Sequence, residues 1–519
     1  MATARSKSLE TFAAKALAVG PVRLAFLASL LLSVIAVLSS PVLNRDGMFY
    51  VELADSIAGS GPLEVKGGHL ALAFLPALIA LVGFLTGLSH EVSAHLLDAL
   101  LMAGTCGLLV SIVRQRAPEA AWSACLVVLA MPAFNEYRNQ MLREYGFWFF
   151  SVLALWLAMR KDPDNMSWRD AFACQAAIVV AALFRPEALV FFPVLMLWQA
   201  WEAPPGERLG RMLRIGWLPL AAVVAGGLLI ASESVAVPWR VAQLLEIANP
   251  LRTLRGIGEA ANKMSDLVFP YKYSREEAGY VLFFGLISII PMKFIQMSGL
   301  LVVPIGYALA KPSLRAVLGK SSLLGWFFLA HALILIVFVT SKFFLVGRYV
   351  AMLNLLAVPA AAFGFAALAG RFPRWRFPMI AVLLVMALAN VVSFSAKNTQ
   401  IIEAGRWLKG APIPAASIYV DNPRVSFYAG LGYVDAGRRQ LLRADLAKAV
   451  AENRFNMIVL EGSRKERAEL DAWLAANNLL VVKKFSNKAE SAVLVAIPAG
   501  AYTSPSMTEW IRSNTGPIE

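Results

Sequence analysis

The sequence predicts a mainly α-helical, polytopic membrane protein with a small soluble α/β domain at its C-terminus. Of the 519 residues, 58% are hydrophobic and 16% are charged, and the mean hydropathy is +0.62. Soluble globular domains are about half apolar and about a quarter charged, so this composition excludes an ordinary soluble protein. The apolar residues also form runs of bilayer length, whereas polar and apolar residues mix after residue 397.

The net charge of +14 does not indicate a nucleic-acid-binding protein. The Lys and Arg residues cluster in short segments between the apolar runs, as the positive-inside rule predicts for cytoplasmic loops. Arg5, Lys7, Lys15 and Arg23 come before or at the start of the first run, and no small-residue cleavage site follows cleanly. We therefore expect an uncleaved anchor whose N-terminus stays in the cytoplasm.

The apolar runs predict about 11 membrane spans. A run of about 19 residues at about 1.5 Å per residue is long enough to cross a hydrocarbon core of about 30 Å. The runs cover residues 22–40, 70–88, 92–112, 119–135, 145–160, 168–184, 187–201, 215–234, 281–308, 322–340, 349–369 and 378–395. If all of them crossed, basic loops such as that of Arg114 and Arg116 would lie outside, against the charge rule. The run at 70–88 contains Pro76 and two glycines, and a membrane-dipping helix there returns every basic loop to the cytoplasm.

We expect residues 1–396 to form the transmembrane domain and residues 397–519 to form a separate α/β domain on the outer side. Short β-prone runs alternate with helical stretches in the second part. The strands are predicted at 417–421, 456–461, 479–485 and 492–497, and the helices at 444–453 and 464–476.

Asp46 is an acidic residue that the first apolar run carries to the outer membrane face. It lies in the stretch 44–54, which is typical of a short amphipathic helix on the membrane surface. By itself, Asp46 followed by Gly47 is also typical of a turn or a helix cap. Arg45 and Tyr50 lie within two turns of Asp46, and these neighbouring residues favour a catalytic or substrate-binding site.

A second carboxylate, Glu144, lies where another predicted outer segment, with Arg138 and Arg143, meets an apolar run. A helix N-terminus stabilises a carboxylate by itself, so Glu144 also has an explanation without chemistry. As a site residue it would face Asp46 and either tune its pKa or share a divalent cation with it. A divalent metal held by these two carboxylates therefore stays open.

Arg185 and Glu187 flank Pro186 between two apolar runs. A turn with a snorkelling arginine is one interpretation. The other is a phosphate clamp at the lipid interface, because the guanidinium fork can bind two phosphate oxygens at once.

Lys342, Arg348 and Tyr349 lie between two later spans on the same predicted face. Cations on the outer side run against the charge rule, which favours contact with an anionic ligand over mere orientation. Lys66 and His69, in the loop after Asp46, are further substrate-binding candidates.

The cysteines do not indicate a disulfide framework or a zinc site. Cys106, Cys125 and Cys174 all lie in apolar runs without metal-ligand spacing. We expect them to be small core residues.

Acids and cations on one membrane face, without a nucleotide-binding loop, indicate a substrate that arrives activated and anchored in lipid. A sugar linked to a polyprenyl phosphate fits this description. Its phosphate is a good leaving group that needs cationic stabilisation, and the acceptor hydroxyl needs a base.

In these features the chain resembles the GT-C glycosyltransferase superfamily, in particular the protein O-mannosyltransferase and aminoarabinose transferase branch. The family commonly has Asp-Glu in its first outer loop, and here Gly47 replaces the Glu. The likeness covers about residues 20–395 and rests on Asp46-Gly47 with Tyr50 and Ala54, on Phe184-Arg185-Pro186-Glu187 and on Gly347-Arg348-Tyr349.

The resemblance implies a GT-C-like fold with membrane-surface helices beside the spans. It implies that Asp46 acts as the base or orients the acceptor and that Glu144 occupies the second acidic position. It further implies that Arg185, Lys342 and Arg348 are candidates to bind the lipid phosphate.

The sequence thus predicts a bacterial inner-membrane glycosyltransferase. At its periplasmic face it would bind a polyprenyl-phosphate-linked sugar as donor and a protein, a lipid or a glycan as acceptor. Three alternatives stay open. A transporter or lipid flippase would place ionisable groups at mid-bilayer and often shows repeated halves. A polysaccharide polymerase or ligase would move whole glycans, and a binding module on a membrane anchor would keep its activity in residues 397–519 alone.

Overall fold

A computed structural model describes residues 19–60, 74–161, 166–232, 249–269, 271–319, 321–392, 397–433, 437, 440–499, 509–511 and 513. Lys66 and His69 lie outside these residues. The chain divides into two compact units. The first comprises Met1–Ala36, His95–Arg138 and Leu142–Val392, and the second comprises Val37–Ala94, Asn139–Met141 and Ser393–Glu519. The division into domains at residues 396 and 397 stays a prediction.

The helices before residue 250 follow the apolar runs and the loops between them. They are α1 (Pro21–Ser39), α2 (Arg45–Ser60), α3 (Phe74–Thr86), α4 (His90–Arg116), α5 (Ala121–Ala130), α6 (Pro132–Asn135), α7 (Glu144–Met159), α8 (Trp168–Phe184), α9 (Phe191–Glu202) and α10 (Arg208–Ala231), with 3₁₀ turns at Pro118–Ala120 and Pro186–Val190. Ser167 caps α8 in a capping box, in which Ser167 Oγ accepts from Asp170 N and the Asp170 carboxylate accepts from Ser167 N.

The later helices of the first unit begin with an amphipathic one. They are α11 (Pro250–Val268), α12 (Lys272–Glu276), α13 (Ala278–Ser298), α14 (Val302–Ala310), α15 (Pro312–Gly319), α16 (Ser322–Lys342), α17 (Gly347–Leu356), α18 (Val358–Arg371) and α19 (Arg376–Ala389). The segment from about 235 to 280 contains none of the predicted apolar runs, and its described part contains α11 and α12. Asn249 starts α11 because its side chain accepts from the N–H groups of Leu251 and Arg252.

Several predicted single runs are broken helices. Within the run at 119–135, α5 ends before Met131. Met131 has an extended backbone because it precedes Pro132, where α6 begins. The run at 281–308 breaks at Gly299, which has a φ of 54° that glycine adopts without strain. The run at 349–369 splits into α17 and α18, which meet at an angle of 58°.

The architecture confirms the predicted class of polytopic, mainly α-helical membrane protein. Among the described residues, the helices long and apolar enough to cross a membrane are Pro21–Ser39, His90–Arg116, Arg208–Gly226, Ala278–Ala310 and Ser322–Lys342. The bent pair α17 and α18 makes a sixth if it counts as one span. Helix α3 has 13 residues, about 20 Å at 1.5 Å per residue, which is shorter than the hydrocarbon core. The total of about 11 spans and their orientation stay predictions.

The second unit contains the predicted small sheet. Its strands are β1 (Ile418–Val420), β2 (Met457–Gly462), β3 (Leu479–Ser486) and β4 (Ala492–Pro498), each within about two residues of the prediction. The order is β1-β2-β4-β3, with β1 parallel to β2 and the other pairs antiparallel. The helices of this part are α20 (Thr399–Lys409), α21 (Pro423–Tyr428), α22 (Arg443–Ala451) and α23 (Arg467–Ala476).

Both faces of this sheet are covered by helices. Met457 and Val459 of β2 pack in one apolar cluster with residues of α20, whereas Ile458 and Leu460 pack in another with residues of α22 and α23. Because successive side chains of a strand point to opposite faces, β2 is apolar at consecutive positions rather than at alternate ones. The predicted α/β domain is therefore a sheet between two helical layers.

Candidate active site

In the first unit, a buried carboxylate joins two arginines from distant parts of the chain. Glu144 is the first residue of α7 and is 5% exposed. Its Oε1 accepts from Arg185 Nη1 at 2.7 Å and lies 3.3 Å from Arg348 Nε. A buried carboxylate is stable as an ion only when it is paired, so the two guanidinium groups and Glu144 hold each other in place.

Arg185 is fixed from three sides. Its Nε donates to the Glu187 carboxylate, its Nη1 donates to Glu144, and its guanidinium stacks on the Tyr349 ring with 4.5 Å between Cζ and the ring centroid. The local sequence explains this position. Arg185 precedes Pro186 and has an extended backbone, with φ of −144° and ψ of 114°, so α8 ends there and a 3₁₀ turn follows.

Arg348 and Tyr349 are presented by the first turn of α17. A Cβ on Gly347 would lie 2.5 Å from Tyr137 Oη, so a larger residue here would have to displace the Tyr137 hydroxyl. Burial first, and then the charge of Glu136, raises the pKa of the Tyr137 phenol to about 12. Arg348 Cζ lies 5.5 Å from the centroid of the Tyr349 ring, and Tyr349 therefore contacts both arginines.

These polar residues form one end of a cavity of ≈ 410 Å³. Apart from His331, the rest of its wall is apolar. The cavity is lined by Glu144, Phe147, Trp148, Arg185, Pro186, Glu187, Leu189, Val190, Ala330, His331, Leu333, Ile334, Leu335, Val337, Phe338, Arg348 and Tyr349. The two arginines offset the charges of Glu144 and Glu187, so this end is strongly polar without a net charge. Arginine N–H groups beside an apolar body suit a ligand that carries a phosphate-like group on a hydrocarbon chain.

Two residues of the first unit that the sequence analysis did not select have a role here. His331, in α16, lines the cavity; its Nε2 donates to the Tyr349 carbonyl at 3.0 Å, which leaves Nδ1 as an acceptor, buried and without a partner among the described residues. Asp98, in α4, accepts from Leu142 N at 3.2 Å and so fixes the turn before Glu144. Both lie inside apolar runs, and an ionisable residue inside a span is the signal that would have found them.

Arg138 is buried in the first unit, where it makes structural hydrogen bonds. It is 4% exposed, and its guanidinium donates to the Ser29 carbonyl and to the hydroxyls of Ser29 and Ser33 at 2.9 to 3.0 Å, and to Asn135 at 2.7 Å. These contacts attach the turn after α6 to α1. Arg143 is the half-buried N-cap residue of α7.

Lys342 lies in a different cavity from Arg348. This second cavity, of ≈ 340 Å³, is polar and includes Arg252, Arg255 and Ser341. The separation follows from the end of α16, where Phe343 has a left-handed backbone with φ of 60° and turns the chain before α17 begins.

In the second unit, Asp46 lies in the first turn of α2, where the helix dipole stabilises a carboxylate. Asn44 precedes the helix, and its side chain bonds Met141 twice, to the N–H at 3.0 Å and to the carbonyl at 3.2 Å. A Cβ on residue 47 would lie 2.7 Å from Asn44 Oδ1 and 3.0 Å from Met141 Sδ. A side chain at position 47 would therefore have to displace the Asn44 carboxamide and the Met141 thioether.

Other groups of the second unit lie near Asp46. Tyr433 donates its N–H to the Glu52 carboxylate. Burial raises the pKa of the Tyr433 phenol, and the charges of Arg45 and Asp46 also act on it, in opposite directions. Arg45 is exposed, whereas Tyr50 is buried in α2 at 6% exposure.

The residues around Glu144 do not form a metal site. No group of three or more His, Cys, Asp or Glu side chains is placed to hold a metal ion among the described residues. The Glu144 carboxylate already faces two guanidinium groups, whose charge opposes a cation at the same oxygen. The three cysteines are buried and free, as expected for core residues.

The chain shares its fold with solved structures of polytopic membrane proteins. Among solved structures, the chain is similar to ArnT from Cupriavidus metallidurans in its apo state, with a TM-score of 0.54 and 15% identity over 96% of this chain and 100% of that chain. ArnT bound to undecaprenyl phosphate gives a TM-score of 0.51 at the same identity and coverage. An archaeal oligosaccharyltransferase from Archaeoglobus fulgidus, in complex with zinc and sulfate, gives 0.48 at 11% identity over 93% of this chain and 76% of that one. No family model and no curated protein matches the chain.

Proposed function

We propose that this protein is a glycosyltransferase of the bacterial inner membrane, which moves a sugar from a polyprenyl-phosphate donor to an acceptor hydroxyl on the periplasmic face. The observation that carries the proposal is the cavity of Glu144, Arg185 and Arg348, which combines paired arginines with a largely apolar wall, in a chain with the GT-C fold. ArnT, which shares this fold, has been solved with undecaprenyl phosphate bound.

The two arginines suit the phosphate of the donor. A guanidinium has five N–H donors in a fixed fork, so Arg185 can bind phosphate oxygens while Glu144 and Glu187 hold its Nη1 and Nε. When the bond between the anomeric carbon and the phosphate oxygen breaks, negative charge grows on that oxygen. Fixed cations then stabilise the departing lipid phosphate without reorganising. The apolar wall of the cavity suits the first isoprene units.

Asp46 is the proposed base. Its carboxylate would accept the proton of the acceptor hydroxyl while the acceptor oxygen attacks the anomeric carbon and the lipid phosphate leaves from the opposite face. One such step inverts the anomeric configuration. The contacts of Glu144 favour a positioning role for it, in which it aims both arginines, over the role of a second base.

The proposed topology puts the N-terminus in the cytoplasm and the C-terminal α/β part in the periplasm. In this orientation α1 delivers Asp46 to the outer face. The remaining predicted substrate residues, which include Lys342, Tyr349, Arg143 and the exposed Arg45, stay candidates for contact with donor or acceptor.

One observation favours a lipid flippase or transporter as the second candidate. Asp98 and His331 are buried ionisable residues inside apolar helices, as in proteins that move charged groups across the bilayer. A polymerase or ligase is distinguished by its product, because it would transfer a whole glycan.

The test is transfer by the purified full-length protein in liposomes, supplied with a panel of polyprenyl-phosphate sugars and a membrane extract as acceptor. We expect one labelled sugar to be lost from the donor and to be found covalently on an acceptor. Arg348→Met should abolish this transfer, while Arg374→Met, in an exposed turn, should not. Movement of intact donor lipid between leaflets without any covalent product would favour the flippase and contradict the transferase.

A further inference from the structure

A third cavity lies entirely in the second unit, beside the start of α2. It has a volume of ≈ 260 Å³ and is built from three chain segments, residues 39–44, residues 139–140 and residues 397–398, together with Arg424. The side chains that matter for its chemistry are Ser40, Asn139, Gln140, Lys397, Asn398 and Arg424.

The lining combines carboxamides with cations. Each carboxamide has both donors and an acceptor, so several of them in one cavity match the hydroxyl groups of a saccharide, which also donate and accept. Lys397 and Arg424 add two positive charges, and none of the described residues that line the cavity is acidic. Such a wall discriminates in favour of a polyhydroxylated ligand that also carries an anionic group.

Arg424 is oriented but incompletely paired. Its backbone N–H donates to Asn422 Oδ1 at 2.9 Å, which fixes it at the start of α21. Its Nη2 lies 4.0 Å from Glu461 Oε2, at the outer limit of an ion pair. Its Nε is buried without a hydrogen-bond partner among the described residues.

The cavity adjoins the segment that carries Asp46. Asn44 belongs to its wall, and the two hydrogen bonds between Asn44 and Met141 hold residues 139–140 against the start of α2. The charges of Arg424 and Asp46 both act on the Tyr433 phenol, in opposite directions.

We propose that this cavity is a saccharide-binding site that selects an acidic acceptor sugar. The carboxamides bind its hydroxyls, and Arg424 with Lys397 binds its carboxylate or phosphate, which brings a neighbouring hydroxyl towards Asp46. Its role as acceptor site rests on the proposed function, whereas saccharide binding does not. The C-terminal α/β part thereby contributes to acceptor choice rather than to the chemistry.

The test is binding of three probes to the full-length protein in detergent micelles, measured by saturation-transfer NMR and by competition. The probes are glucuronate, glucose and inorganic phosphate. We expect glucuronate to bind, glucose to compete with it more weakly, and Arg424→Met to weaken glucuronate binding at least tenfold while glucose competition persists. Arg424→Lys should retain part of the affinity, and Arg464→Met, which removes an exposed arginine paired with Glu490, should retain all of it.

Some results overturn the proposal. If phosphate alone binds as well as glucuronate and glucose does not compete, the cavity is a simple anion or lipid-headgroup site. If Arg424→Met changes nothing while its thermal unfolding matches the parent protein, the cavity does not bind the sugar. Arg348→Met keeps the two proposals apart, because it should abolish transfer and leave glucuronate binding unchanged. If the protein binds glucuronate but has no transfer activity, the transferase proposal and the acceptor role of the cavity are refuted, whereas saccharide binding by the cavity is not.

Discussion

Replacing Glu144 by Gln tests how the two arginines are held. The carboxylate accepts one hydrogen bond from Arg185 at 2.7 Å and pairs with Arg348 at 3.3 Å. Hydrogen bonds to charged groups contribute about 1.5 to 3 kcal/mol and neutral ones about 0.5 to 1.5 kcal/mol, so loss of the charge weakens the pair of contacts by about 2 to 3 kcal/mol. If binding of the donor loses the same free energy, the transfer rate at low donor concentration falls about 30- to 150-fold.

The assay is steady-state transfer by the purified protein over a range of donor concentrations. A positioning role predicts that Glu144→Gln raises the KM for the donor, because the guanidinium groups no longer point at the phosphate. The pH dependence should keep its shape, because Asp46 remains the base. Glu119→Gln, which changes an exposed glutamate in a 3₁₀ turn, is the matched control.

Two outcomes would refute this reasoning. Unchanged kinetics in Glu144→Gln would mean that the arginines do not depend on Glu144. A large loss of kcat at saturating donor, together with loss of the acidic limb of the pH profile, would make Glu144 the base.

Three further predictions concern the base, the histidine and the sheet. Asp46→Asn should lower kcat by about 10² to 10⁴, the usual contribution of a general base, and leave donor binding intact; a full rate would exclude Asp46 from the mechanism. His331→Gln keeps a donor for the Tyr349 carbonyl, so it should unfold at the parent temperature, whereas His331→Phe should lose about 1 kcal/mol of stability; equal melting curves would contradict this role. Burial raises the pKa of Asp421 to about 7. Between about pH 4 and pH 7 the folded state keeps a proton on this carboxyl that the unfolded state has released. The free energy of unfolding therefore falls as the pH rises through this window. Hydrogen exchange of Met457–Gly462, corrected for intrinsic rates, should slow from pH 8 to pH 5 in the parent protein and change less in Asp421→Asn; an identical slope in both would be the contrary result.

The α/β part was predictable from sequence because its signals are local. The four strands lie within about two residues of the predicted runs, since each is a short apolar segment between polar turns. The helix boundaries in the first unit were less predictable. Gly299 and Pro359 lie at the two breaks, but Pro291 lies inside α13 without ending it, so a glycine or proline in an apolar run does not by itself locate a break.

The acid and arginine cluster was predictable in its members but not in its pairing. Glu144, Arg185 and Arg348 each stood out as a charge at the end of an apolar run. That one carboxylate oxygen meets both arginines depends on tertiary structure. Lys342 shows the limit of the same argument, because it is six residues from Arg348 and yet lies in another cavity, after the left-handed turn at Phe343.

His331 shows a different limit. A single histidine in an apolar run is compatible with a core residue, a ligand contact or a proton carrier. Only the bond from Nε2 to the Tyr349 carbonyl identifies Nδ1 as the acceptor nitrogen of this ring.

The most direct measurement of the central claim is equilibrium binding of a radiolabelled polyprenyl phosphate to the purified full-length protein, Arg348→Met and Arg374→Met. A cavity that binds the lipid phosphate through its arginines predicts saturable binding that weakens at least tenfold in Arg348→Met and is unchanged in Arg374→Met. Equal binding by all three proteins, or no saturable binding by the parent, would contradict the account.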